Sequence, residues 1–119
     1  MTRSVRRRSS SVHFVHLLKV LRMNDLEVWR IKIDEIDLQL VKLLNDRARY
    51  ATEIGKVKLT LGMDAYSPRR EEEVMKHVTA NNAGPMSAQA IRRLFERIID
   101  ESRSVERIYI HEQKKQKRP

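Results

Sequence analysis

Between Asn24 and Leu61 the chain meets no proline and a single glycine, Gly55, while its apolar residues recur every three or four positions. Ile33, Ile36, Leu40, Leu43, Leu44, Ala51, Ile54, Val57 and Leu61 keep that step. The spacing predicts one helix with a continuous apolar stripe, stopped by Gly62. Some forty residues at ~1.5 Å each make a rod of roughly 55 Å. A compact domain of 100 residues has a radius of gyration of only ~13 Å. Such a helix has no way to bury its stripe against its own chain. It asks for a second copy.

The rest of the chain continues in helices. Ser67-Pro68 reads as a cap residue followed by proline at the first helical position, and Glu71, Glu72 and Glu73 suit the positive end of the helix dipole. Val74, Met75 and Val78 give that second helix an apolar face. Asn81-Asn82-Ala83-Gly84-Pro85 is turn chemistry. Ser87 then caps a third helix carrying Ile91, Leu94, Phe95, Ile98, Ile99, Val105 and Ile108. The expected architecture is all-α, with three helices (long, short, long) and no strands. Aromatic residues at 5% and three glycines are poor material for a β-sandwich. With no cysteine there is no disulfide framework, thiolate metal site or cysteine nucleophile.

A net charge of +9 suggests nucleic acid until it is located. Residues 1–22 carry +6 and residues 111–119 carry +3, whereas residues 23–110 hold fifteen basic and fifteen acidic residues. A nucleic-acid-binding fold carries its positive field on the folded face. Here the interior is neutral, so neither nucleic acid nor membrane is expected as a partner. Residues 1–22 are expected to form a basic, disordered leader, 23–110 the helical domain and 111–119 a basic tail. The leader lacks the clean apolar core and small-residue exit of a signal peptide. Its Arg- and Ser-rich start could pass for an organelle transit sequence; a dispensable leader upstream of Met23 is preferred, with a cytoplasmic protein. Val12–Leu21 is too short and too polar to span a bilayer.

The informative residues are cations on the apolar stripe. At ~100° per residue, Arg47, Ala51, Ile54 and Lys58 fall within about 60° of one another. Two cations roughly 16 Å apart along the axis bracket a small apolar floor and could clasp an anion between them. The plain alternative is that their stems pack while their heads reach water. Arg30 points about 100° away from Arg47 and lies some 25 Å along the helix, so only a two-fold dimer could bring it to the same pocket. On the third helix Ser102 and Glu106 are i,i+4 neighbours at the edge of the apolar stripe. His13, His16, His77 and His111 make no legible metal site, and no phosphate loop or Ser/His/Asp set appears.

These residues, taken together, resemble the all-helical chorismate mutases. The carrying runs are Ile33-Asp34-Glu35-Ile36-Asp37, Leu43-Leu44-Asn45-Asp46-Arg47, Ile54-Gly55-Lys56-Val57-Lys58 and Pro68-Arg69-Arg70-Glu71. Asn82-Ala83-Gly84-Pro85-Met86-Ser87 and Leu94 through Ser102 fit the same family, so the match spans about residues 24–108. The resemblance implies an intertwined homodimer that rearranges chorismate to prephenate on the way to phenylalanine and tyrosine, without cofactor or metal. Arg47, Lys58, Arg70 and Glu71 are then pocket residues of one chain, Ser102 and Glu106 come from the third helix, and Arg30 is donated by the other chain. Two positions depart from the best-known bacterial pattern: Ser67 stands where some members have Asp, and Glu106 where many have Gln.

In that scheme Lys58 and Glu106 stabilise charge growing on the ether oxygen. A carboxylate can only accept hydrogen bonds, so Glu106 must be protonated to donate one. Activity is then expected to fall as pH rises. The opposing view has Glu106 solvated on the last turns of the third helix. Rival functions are an isochorismate pyruvate-lyase on the same scaffold, differing around residues 62–67, and a basic nucleic-acid-binding helical module. A mutase boosted by the first enzyme of the shikimate pathway is a further variant.

Overall fold

A computed structural model describes residues 2–117, with side-chain surroundings from residue 11 onward. The expected Arg3, Arg6, Arg7 and Arg8 charges, Met1, Arg118 and Pro119 lie outside what is described. Three helices follow in order: α1 (Thr2–Leu61), α2 (Pro68–Ala80) and α3 (Ala88–Gln116). Among the described residues there is no strand, and no helix is long and apolar enough to cross a membrane. The chain divides into two compact units, Met1–Val41 and Lys42–Pro119, with the boundary inside α1.

Each helix ends where its residues dictate. Gly62 takes φ +67°, a left-handed conformation open to glycine at no steric cost. Met63 then donates its N–H to Lys58 O at 2.8 Å and Gly62 to Leu59 O at 3.3 Å. These two bonds form a Schellman stop. Ser67 caps α2 by accepting from Arg70 N–H at 3.4 Å, with Pro68 at the first helical position. Asn81 closes that helix, its side-chain amide donating to His77 O at 2.8 Å. In the next turn Asn82 receives the Gly84 N–H at 3.2 Å and donates to Met86 O at 2.8 Å. Ser87 caps α3 through Ala90 N–H at 3.1 Å.

At both ends the helices run beyond the expected 23–110 domain. The first, α1, begins at Thr2, and nothing before Gly55 removes a donor or loosens the backbone. Its residues 11–22 are all exposed, so the helix there packs on nothing described. Likewise α3 does not fade at residue 110 but runs to Gln116, where Lys114 and Lys115 suit the negative end of its dipole.

In the second unit α2 lies against α3, and the buried residues are few: Ala51, Ile99, Ile110 and the carboxylate of Glu106. Gly55 is buried too. A Cβ added there would stand 3.5 Å from both Cα and O of Glu106, so the α1 backbone runs close beside α3. The face of α1 that its own chain covers is therefore its cation and small-residue face. The larger apolar side chains beside it are left uncovered: Leu43, Val57 and Leu61 are all exposed.

Candidate active site

A cavity of about 240 Å³ opens where α1, α2 and α3 meet in the second unit. From α1 it takes Arg47, Ala51, Ile54 and Lys58, the four residues that the helical angle places on one face. The N-terminus of α2 adds Ser67, Arg70, Glu71 and Val74, and α3 adds Ile99, Ser102, Arg103 and Glu106. Seven of the eight expected site residues are thus brought together. The eighth, Arg30, is not among the lining residues; it belongs to the first unit, where it is exposed and paired with Glu27 at 3.0 Å.

The cations are held, not solvated. Arg47 donates Nη1–H to Ser102 Oγ, and that hydroxyl in turn donates to Ile98 O at 3.0 Å. One turn of α3 therefore orients the guanidinium. Burial pulls the Arg47 pKa down and the nearby Arg70 charge acts in the same direction, while Glu106 opposes both. The guanidinium still keeps its proton. A half-buried guanidinium with a second cation beside it leaves the cavity with an unmet demand for negative charge.

Lys58 sits near the floor with its side chain 14% exposed. Its Nζ donates to Ala65 O at 2.8 Å, tying the α1–α2 loop to the pocket wall. The same Nζ lies 2.8 Å from Glu106 Oε1. That contact is an ion pair rather than a directed hydrogen bond, for Oε1 has no hydrogen-bond donor among the described residues. Glu106 is only 8% exposed, which overturns the view of it as a solvated residue on the last turns of α3. Lys58 and Glu106, both expected to address one oxygen, are also partners of each other.

Ser67 lines the cavity, but its Oγ already accepts the Arg70 N–H as the helix cap. Its remaining function toward a ligand is to donate its own proton. Arg70 is largely exposed and makes only a 3.5 Å contact with Glu73, so its fork is free to turn inward. Glu71 is held from α3 by Arg103 Nη2 at 3.1 Å.

Arg103 is the residue the sequence reading missed. It bonds Asp100 at 2.6 Å as well as Glu71, and its guanidinium lies 4.9 Å over the Tyr66 ring. A signal existed: residues 102, 103 and 106 share one helical face.

Residues 29–107 match the family described as chorismate mutase type II. A bifunctional chorismate mutase/prephenate dehydratase of Neisseria gonorrhoeae is 38% identical over 78 residues, covering 66% of this chain and 21% of that protein. Its namesake in Pseudomonas aeruginosa is 35% identical over 88 residues, covering 70% of this chain and 24% of that one. The chain thus spans only about a fifth to a quarter of these relatives. Among solved structures, a chorismate mutase of Thermus thermophilus superposes with a TM-score of 0.67 at 36% identity. That likeness covers 68% of this chain and 92% of the other.

Proposed function

The chain belongs to the chorismate mutase type II family, and on that premise we propose that it rearranges chorismate to prephenate in aromatic amino acid biosynthesis. The observation that carries this reading is the convergence of Arg47, Lys58 and Arg70 on one cavity with an apolar floor of Ala51, Ile54 and Ile99. Chorismate is a dianion with a compact ring. Arg47 and Arg70 can pair bidentately with its carboxylates, and Lys is no substitute at such a forked contact. Fixing both carboxylates selects the folded conformer in which the two ends of the new bond meet.

The rearrangement is unimolecular and needs no nucleophile. As the carbon–oxygen bond breaks, charge grows on the ether oxygen, and Lys58 is aimed where it can meet that charge. A preorganised donor of this kind contributes about 3–4 kcal/mol. Glu106 acts beside it in its protonated form, donating a hydrogen bond. Ionised, it occupies Lys58 instead and withdraws a cation from the ether oxygen.

Two further parts complete the reading. The working species is a homodimer in which α1 of one copy covers α1 of the other, and Arg30 enters the partner's pocket. The protein acts in the cytoplasm. Following chorismate disappearance with purified protein and identifying the product tests the activity. Prephenate is the expected product; release of pyruvate from isochorismate, with chorismate untouched, would replace this reading by the lyase. Repeating the assay with the first enzyme of the shikimate pathway added tests whether a partner raises the rate.

A further inference from the structure

A second cavity, about 390 Å³, lies beside the first within the same unit. One wall is a stripe of α3 bearing Arg103, Arg107, His111 and Lys114, which follow at helical steps of four, four and three, with Ile110 beside them. The opposite wall is the α1–α2 loop, with Asp64, Ala65 and Tyr66. Ile110, 8% exposed, makes an apolar floor. Arg107, His111 and Lys114 have no ion-pair or hydrogen-bond partner among the described residues. Asp64 is the one acid in the lining and leaves the cations in excess. Some exposed cations elsewhere on the helices are paired one turn away, as Lys56 is with Glu53 and Arg97 with Glu101, while others such as Arg92 and Arg93 stand alone among the described residues but line neither cavity.

The two cavities share Ala65 and Arg103. Arg103 reaches Glu71 on the first and covers Tyr66 on the second. We infer that the second cavity is a binding site for a small organic anion with a compact apolar body, and that its occupant competes with Glu71 for Arg103. The carboxylates meet Arg107 and Lys114, while the body lies against Ile110 and the Tyr66 ring. Occupancy draws Arg103 from Glu71 and loosens the α2 end of the first pocket, so substrate binding weakens while the reacting geometry at Lys58 is untouched.

The coupling rests on the activity proposed above, whereas binding does not, and the test separates them. Isophthalate, a ring with two carboxylates, is titrated into the full-length protein while the ring resonances of His111 are followed by NMR. A saturable shift is expected in the wild type and equally in Arg47→Ala. It should weaken by about tenfold or more in Arg107→Gln/Lys114→Gln, which removes two charge-assisted contacts from exposed side chains. Inorganic phosphate should shift the resonances far less. A shift abolished by Arg47→Ala but kept in the double variant would overturn the site, and an equal response to phosphate would overturn the organic ligand. In the mutase assay, saturating isophthalate should raise KM with kcat held, and the double variant should lose this effect. A rise in KM that persists in the double variant is ordinary competition at the first pocket and overturns the coupling.

Discussion

Two stretches of α1 carry apolar residues at the same spacing and meet different fates. From Lys42 onward the helix has its own chain beside it, and Ala51 and Gly55 are buried while Arg47 and Lys58 are partly so. Before Val41 the stripe Leu26, Trp29, Ile33, Ile36 and Leu40 keeps a regular three–four step, yet every member is about half exposed or more. Periodicity decides which residues share a face. It does not decide what covers that face. Singly exposed apolar residues are ordinary, but a contiguous stripe marks an association surface. A three–four stripe is also the seam on which two helices pack lengthwise.

The largest effect should come from charging the uncovered stripe. Burying one Ile contributes about 1.5–3 kcal/mol, and Ile33→Asp/Ile36→Asp would change both copies of the proposed dimer, so dimerisation should weaken on the order of a thousandfold or more. Sedimentation equilibrium checks this; a stable, active wild-type monomer would break the comparison outright, since the stripe would then need no cover.

The covered region is probed next by Lys58→Ala. Losing a donor worth ~3–4 kcal/mol lowers kcat by about 10²–10³-fold. The variant also leaves buried Glu106 without its cation, so Lys58→Ala/Glu106→Gln should melt higher than Lys58→Ala alone. The same variant joins the two regions. In an equal mixture of Arg30→Ala and Lys58→Ala subunits, half the dimers are mixed and one site of two is intact, so about a quarter of wild-type activity should return. No recovery, with subunit exchange confirmed, would leave Arg30 acting only within its own chain.

A smaller, pH-dependent effect separates the roles of Glu106. A glutamate can donate to the ether oxygen only while its carboxyl carries a proton, whereas an amide donates at every pH, so Glu106→Gln should give a flatter pH–rate curve than the wild type. Superimposable curves for the two proteins would remove Glu106 from the chemistry. The smallest effect lies on the surface of the covered region. Arg49, and secondarily Lys42, hold the Asp46 pKa below its usual value. A group with a lowered folded-state pKa adds stability that is present above its unfolded pKa and lost as pH falls through the folded one. Thermal unfolding of wild type and Asp46→Asn should therefore differ slightly near neutrality and converge in strong acid; a gap that widens on acidification would contradict that sign.

Much was legible in the sequence. Its residues alone placed the stops at Gly62 and Asn81 and the caps at Ser67 and Ser87, because those features are local: a hydroxyl three residues from an orphan N–H, or a glycine where φ turns positive. They also put Arg47, Ala51, Ile54 and Lys58 on one face, since helical angle is arithmetic. Tertiary structure decided the rest. The carboxylate of Glu106 could be read as solvated or as a donor until α3 was laid against Gly55, where burial and Lys58 gave it a partner 2.8 Å away. Arg103 owes its place to α2 and the loop, which bring Glu71 and Tyr66 to it. Contacts between distant segments depend on how helices are set beside one another, and neither propensity nor periodicity along a single helix carries that information.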